Sequence, residues 1–288
     1  MNGIILLNKP SGMTSHDCVD RVRKIFSTKK VGHTGTLDPE TTGVLPICLN
    51  KATKVVSYLT EFDKEYICKI RIGYSTDTED FTGSTLESKD VSVDSIKNVD
   101  SILEKLLSIE EQIPPMYSAV KVNGKKLYEY AREGKKVKRS PRKIKIYKVE
   151  RLSEITYNNN CAEFDFKISG SKGFYVRTIC VTIGEMLGYP AHMADLKRTK
   201  AGKFDVSNSY SFEDIESGNY NLISIIDALD YPKIEVDEYL YYRIMNGSVL
   251  KNIYNITSTI MFCRNNEALA LYAPHPTKEG MVKPIKVF

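Results

Sequence analysis

The chain has 288 residues, 42% of them hydrophobic and 27% charged, a globular composition that excludes disorder and leaves room for two domains. No apolar run approaches the ~18 residues of a membrane helix, and residues 4–7 fall short of the roughly seven needed for a signal-peptide core. A cytoplasmic protein without membrane contact is therefore expected, and six scattered cysteines with no C-x-x-C pair suit reduced thiols better than a disulfide frame or a zinc site.

The formal net charge of +5 is unevenly placed. Residues 121–148 hold twelve Lys/Arg against Glu129 and Glu133, interleaved with Tyr128, Tyr130 and Tyr147, whereas residues 77–111 hold ten acids against three lysines. A solvated face mixes signs. A one-signed block with arginines and tyrosines suits a phosphate backbone, so a nucleic-acid contact is expected at 121–148, with the acidic stretch facing away from it.

In chain order, residues 3–8 read as a strand ended by the turn Lys9-Pro10-Ser11-Gly12. Thr14 or Ser15 caps a helix through Phe26, with Val19, Val22, Ile25 and Phe26 on one face. A loop is expected over 29–46, then a short helix over 53–60. Tyr66, Cys68, Ile70 and Ile72 alternate onto one side of a strand at 65–72. Ile96, Val99, Ile102, Leu103, Leu106 and Leu107 make an amphipathic helix, and Asn123-Gly124 marks a hairpin turn. Strands follow at 144–152 and 162–169, then a helix at 176–187 capped by Gly188. After Tyr231-Pro232 only short β-like runs remain. The expectation is an α+β fold: a mixed, mainly antiparallel sheet flanked by helices over 1–231, with a small all-β domain over 232–288.

The loop Lys30-Val31-Gly32-His33-Thr34-Gly35-Thr36-Leu37-Asp38-Pro39 and its continuation to Pro46 is the most informative segment. Its glycines permit tight turns, and Pro39 biases Asp38 towards extended dihedrals on a fixed bend. Such a long, polar, rigidified loop is more often functional than connective. Taken alone, Asp38 is equally a turn cap and His33 an ordinary polar residue. The chain lacks P-loop, dinucleotide-binding and H-E-x-x-H motifs, which removes the matching nucleotide, hydride and zinc chemistries.

The string Gly32-His33-Thr34-Gly35-Thr36-Leu37-Asp38-Pro39 with Thr42-Gly43-Val44-Leu45-Pro46 resembles the signature of the TruB family, the bacterial tRNA pseudouridine-55 synthases. Further motifs resemble that family in the same order: Asn8-Lys9-Pro10-Ser11-Gly12, Asp63-Lys64-Glu65-Tyr66, Ile113-Pro114-Pro115-Met116-Tyr117-Ser118-Ala119 with Lys126-Leu127-Tyr128, and Ser171-Lys172-Gly173-Phe174-Tyr175-Val176-Arg177-Thr178. Glu40 and Thr41 depart from the small or apolar residues usual after the Asp-Pro pair. The resemblance implies a pseudouridine synthase fold with a PUA-like RNA-binding tail, working as a monomer on the tRNA T-arm.

By the same resemblance, Asp38 is the catalytic aspartate, Tyr66 stacks on the target base, and Arg177 pairs with Asp38. His33, Tyr175, Leu196, Lys9 and Lys172 fall at substrate-contacting or supporting positions. An Asp38–Arg177 pair would keep the carboxylate ionised against burial. The isomerisation needs no external group, so neither cofactor nor metal is expected. Two other readings are a non-catalytic tRNA-binding or tRNA-folding protein using the same basic arm, and a carboxylate hydrolase. The latter needs a second flanking carboxylate, for which the loop offers only Glu40.

Overall fold

The computed structural model describes all 288 residues. The main strands are β1 (Gly3–Lys9), β2 (Val31–His33), β3 (Thr42–Leu49), β4 (Lys64–Ile72), β5 (Ile146–Arg151), β6 (Cys161–Gly170) and β7 (Ala191–Ala201). The helices that matter most are α1 (Ser15–Ile25), α2 (Val99–Lys105), α3 (Leu127–Arg132) and α4 (Val176–Leu187). The central sheet runs β1-β3-β7-β4-β6-β5, with β2 on the far end of β3. Its pairings are antiparallel except for a two-residue parallel contact between β3 and β7, Lys197 to Thr42 and Arg198 to Gly43. The architecture is the expected α+β fold with a mixed, mainly antiparallel sheet.

Burial follows the side-chain pattern. β1 is apolar without alternation because both its faces are covered. Ile5 and Leu7 face the large core beneath α1 and α4, while Ile4 and Leu6 face a second core shared with the C-terminal sheet. β4 alternates strictly: Tyr66, Cys68, Ile70 and Ile72 are buried, and the residues between them are half-exposed, so only one face there is covered. Thr14 and Asp17 form a reciprocal capping box at the start of α1. Gly188 ends α4 in the left-handed region, at φ 78°.

Five differences from the sequence reading have physical causes. The loop at 29–46 is shorter than expected, because Val31–His33 and Thr42–Leu49 are strands and Pro46 sits inside β3 opposite Leu6. The helix expected from Ile96 begins at Val99, since Asn98 adopts a left-handed φ of 59°. Lys125–Lys126 closes the Asn123-Gly124 hairpin, but the chain turns at once into α3 instead of continuing as a strand. β7 was not anticipated at all: Asp195, Lys197, Arg198 and Lys200 obscure its alternation, and register shifts fall between Met193 and Asp195 and between Arg198 and Lys200. Finally, α5 (Glu238–Met245), capped by Asp237, lies in the tail expected to be all β.

That tail forms a five-stranded sheet from β8 (Lys233–Glu235), β9 (Leu250–Lys251), β10 (Ile260–Arg264), β11 (Glu267–Pro274) and β12 (Met281–Val287), ordered β8-β10-β11-β12-β9. One face packs on its own small core around Ile244, Phe262 and Tyr272. The other presents Met261, Cys263, Leu271 and Phe288 to Ile4, Leu6, Val44 and Cys48 of β1 and β3. A segment this short is near the lower limit for independent folding, and the shared core supplies apolar burial that it lacks alone.

Candidate active site

Residues 34–41 connect β2 to β3 and carry Asp38 at their centre. Three buried cations and one hydroxyl hold this loop. Lys9, fully buried at the end of β1, donates from Nζ to the carbonyls of Pro10 (2.8 Å), Pro39 (2.7 Å) and Thr41 (2.8 Å). Arg198 of β7, 1% exposed, donates to Val44 O (2.8 Å) and Gly35 O (3.2 Å) from the opposite side. Ser15 Oγ accepts from Leu37 N (2.8 Å) and donates to Leu37 O (3.1 Å). Gly43 is obligatory for this packing: a Cβ there would lie 2.2 Å from Arg198 O, and its φ is 106°.

The third cation is Arg177, 4% exposed in the first turn of α4. Its Nε lies 3.0 Å from Asp38 Oδ2 and its Nη2 donates to Asp38 Oδ1 at 3.4 Å, a two-pronged contact. The guanidinium also donates to Thr78 O (3.0 Å) and Tyr117 O (2.8 Å), and Asp80 Oδ2 stands 3.9 Å from Nη1. An arginine in the first turn of a helix faces an unfavourable dipole. Here two carboxylates and two carbonyls compensate it.

Asp38 keeps an accessible face. Two-fifths of its side chain is accessible, yet enough protein surrounds it for burial to be the largest influence, raising its carboxyl above the ordinary 3.8. Arg177 pulls it down and Asp80 pushes it up. Arg177 opposes burial without cancelling it, so the net direction is upward. Beside it, Glu79 accepts from Thr178 Oγ1 (2.6 Å) and is likewise raised by burial. Burial, then the charge of Arg198, lowers the His33 imidazole, whose Nδ1 accepts from Gly35 N at 3.3 Å.

Tyr66 is 9% exposed on β4, opposite Arg198 in register, and meets Phe174 edge to face (5.7 Å between centroids, 77°). Tyr175 is half-buried immediately before α4. Leu196, 7% exposed, belongs to the large core. Lys172 is exposed and paired with Glu61. Of the substrate-contacting and supporting positions, Lys9 takes a supporting one: its amine is fully engaged with backbone behind the loop, so it positions Asp38 and does not face a substrate. The acidic stretch needs correcting too, since Thr78, Glu79 and Asp80 at its start lie against Arg177 and Thr178. These three residues, Arg198, Tyr117 and Gln112 are site components that the sequence reading missed. The paired acids of Asp77-Thr78-Glu79-Asp80, ahead of Gly83, were the available signal.

The model of the N-terminal domain of TruB-family pseudouridylate synthases matches residues 23–176, and that of the tRNA pseudouridylate synthase B C-terminal domain matches residues 177–229. The tRNA pseudouridine synthase B of Bacillus cytotoxicus is 49% identical over 298 residues, covering 100% of this chain and 97% of that protein. Its Bacillus subtilis counterpart is 49% identical over 301 residues, with the same coverage. Among solved structures, a chain of a Cbf5-Nop10-Gar1 complex superposes with a TM-score of 0.72 at 26% identity, over 99% of this chain and 84% of that one. Fold, site and relatives together define an enzyme of the pseudouridine synthase class, an isomerase. Within that class, the chain belongs to the TruB family.

Proposed function

We propose that this protein converts the uridine at position 55 in the T-arm of tRNA to pseudouridine, with Asp38 as the catalytic carboxylate. The carrying observation is the two-pronged Asp38–Arg177 contact, with Asp38 still two-fifths accessible, in a chain that also carries a strongly basic arm. The reaction breaks the N1–C1′ bond, turns the uracil and joins C5 to C1′. The C5 proton is lost and N1 gains one, so nothing is added or removed overall. A carboxylate serves whether it attacks C1′, adds to the base or removes a sugar proton. Each route begins with Asp38 ionised, and Arg177 favours that form.

The target base lies in folded RNA and has to leave its stack, at a cost of a few kcal/mol offset by contacts in the pocket and to phosphates. Tyr66 supplies the stacking face, and His33 and Tyr175 border the opening. Leu196 contributes an apolar wall from the core. The arm at 121–148 supplies the phosphate contacts, and Lys172 joins it by exchanging Glu61 for a phosphate. Recognition rests mainly on the shape of the RNA loop and its splayed bases.

The test is pseudouridine mapping on an unmodified tRNA transcript with purified wild-type and Asp38→Asn proteins, with no cofactor or metal added. Conversion of the single T-arm uridine by wild type alone is expected. Free uracil in place of pseudouridine would make the enzyme a hydrolase. Binding without conversion by wild type would favour a tRNA-binding or tRNA-folding protein.

A further inference from the structure

Residues 112–118 lie between the basic arm and the catalytic arginine and are bonded to both. Towards the arm, Gln112 and Glu111 pair as a short strand with Arg142 and Lys143, and Glu110 O accepts from Ile144 N at 2.9 Å. Pro114 O accepts from Arg139 Nη1 (3.0 Å), and Ser118 O from Tyr128 N (3.1 Å). Towards the site, Tyr117 O accepts from Arg177 Nη2 at 2.8 Å. Gln112 makes the remaining connection. Its buried amide accepts from Tyr175 N (2.7 Å) and donates to Tyr175 O (3.1 Å). An amide carries donor and acceptor in one plane and so serves a single backbone residue as a strand would. Tyr175 is the last extended residue before α4, and no side chain of its own caps the helix. Gln112 therefore sets where the helix begins, and Arg177 follows two residues later.

We propose that Gln112 is a positioning residue that couples docking of the basic arm on RNA to placement of Arg177 against Asp38; the inference rests on the function proposed above. When phosphates draw the arm in, the short strand at Arg142–Lys143 carries the pull to Gln112. The amide passes it to the first turn of α4, while the Tyr117 carbonyl moves with the same segment. Arm contact and ion-pair geometry are then set by one rigid connection, and RNA that engages the arm poorly is processed slowly even when bound.

The test uses the full chain carrying Gln112→Met, which keeps the side-chain length and removes both bonds. Single-turnover rates are measured with saturating enzyme on the tRNA transcript. A loss on the order of tenfold to a hundredfold is expected from misplacing the guanidinium, with the Kd for the transcript changed less than about twofold because no phosphate contact is removed. The acid limb of the pH–rate profile should move to higher pH, since Arg177 pulls less on Asp38. In a background of Lys135→Ser, Lys136→Ser and Lys138→Ser, the further loss from Gln112→Met should shrink. Ile244→Val, a change in the separate core of the C-terminal sheet, is expected to lower Tm and provides the measure of what lost stability alone does.

An unchanged rate, a Kd increase that accounts for the whole loss, or a loss matching that of an equally destabilised Ile244→Val protein would overturn the positioning role. Full additivity with the arm substitutions would overturn the coupling. A wild-type protein inactive in the same assay would instead count against the proposed reaction.

Discussion

The loop at 34–41 and the arm at 121–148 are both polar excursions from the same sheet, and the protein treats them in opposite ways. In the loop, Thr34, Leu37 and Thr41 are buried, and Lys9, Arg198, Arg177 and Ser15 hold it from several sides. In the arm, only Leu127, Ile144 and Ile146 are buried, and most of the cations project into solvent. Its internal ties are a hairpin, the ion pairs of Glu133 with Lys125 and Lys135, and cation–π contacts of Lys126 and Arg132 with Tyr128. On the proposed function, the difference reflects two tasks. Chemistry at one bond needs a carboxylate held to a fraction of an ångström, whereas attraction of a polyanion needs charge, roughly wherever it falls. The loop should accordingly be sensitive to single atoms, and the arm only to sums.

The largest expected effect tests the loop side of that contrast. Asp38→Asn should lower the single-turnover rate by roughly a thousandfold or more, while filter binding of tRNA stays within about twofold because no phosphate contact is removed. Comparable losses of rate and affinity would show that the loop also serves as a major binding surface. On the arm side, replacing Lys135, Lys136 and Lys138 with serine should weaken tRNA binding by about tenfold near physiological salt and reduce the slope of log K against log salt by about two to three. Each of the three should contribute similarly. One lysine accounting for the whole effect would mean that the arm, too, is a placed site.

Lys9→Met probes the clamp without touching the carboxylate. Three backbone carbonyls lose their donor, so a destabilisation of about 2–3 kcal/mol is expected in denaturant unfolding, accompanied by a slower reaction. Full stability in this variant would remove Lys9 from the account of the loop. The smallest effect concerns pH. Burial and then the Asp80 charge raise the Asp38 carboxyl, against the pull of Arg177. Activity that needs the carboxylate is therefore lost, as pH falls, above the ordinary carboxylate range. Asp80→Asn removes one raising influence, so the acid limb should shift to lower pH. A shift to higher pH would mean that Asp80 acts chiefly by holding Arg177 in place.

Some of this was legible in the chain and some was not. Strict alternation in β4 and β6, the apolar stripe and Gly188 cap of α4, and the Thr14 cap of α1 are local signals, and the structure agrees with each. The same holds for the Asn123-Gly124 turn, whose two residues adopt φ of 50° and 82°. β7 carries no such signal, because charged residues interrupt its alternation and it buries the polar His192 and Arg198. α5 was missed because its exposed tyrosines, Tyr239 and Tyr242, blur the apolar face on which a helical period is read.

The sequence by itself determined the family and its candidate groups: a carboxylate on a proline-fixed bend, a basic arm, and motifs in the order that marks the family. Only the tertiary structure decided which groups hold Arg177 against that carboxylate. Arg177 lies 139 positions away from Asp38 in the chain, Thr78 and Asp80 come from an acidic stretch expected to face away from RNA, and Tyr117 contributes only its backbone carbonyl. Periodicity and turn chemistry record what a residue needs from its neighbours along the chain. A buried guanidinium is satisfied by whatever carbonyls and carboxylates the sheet brings to it, and that information exists only once the strands have paired.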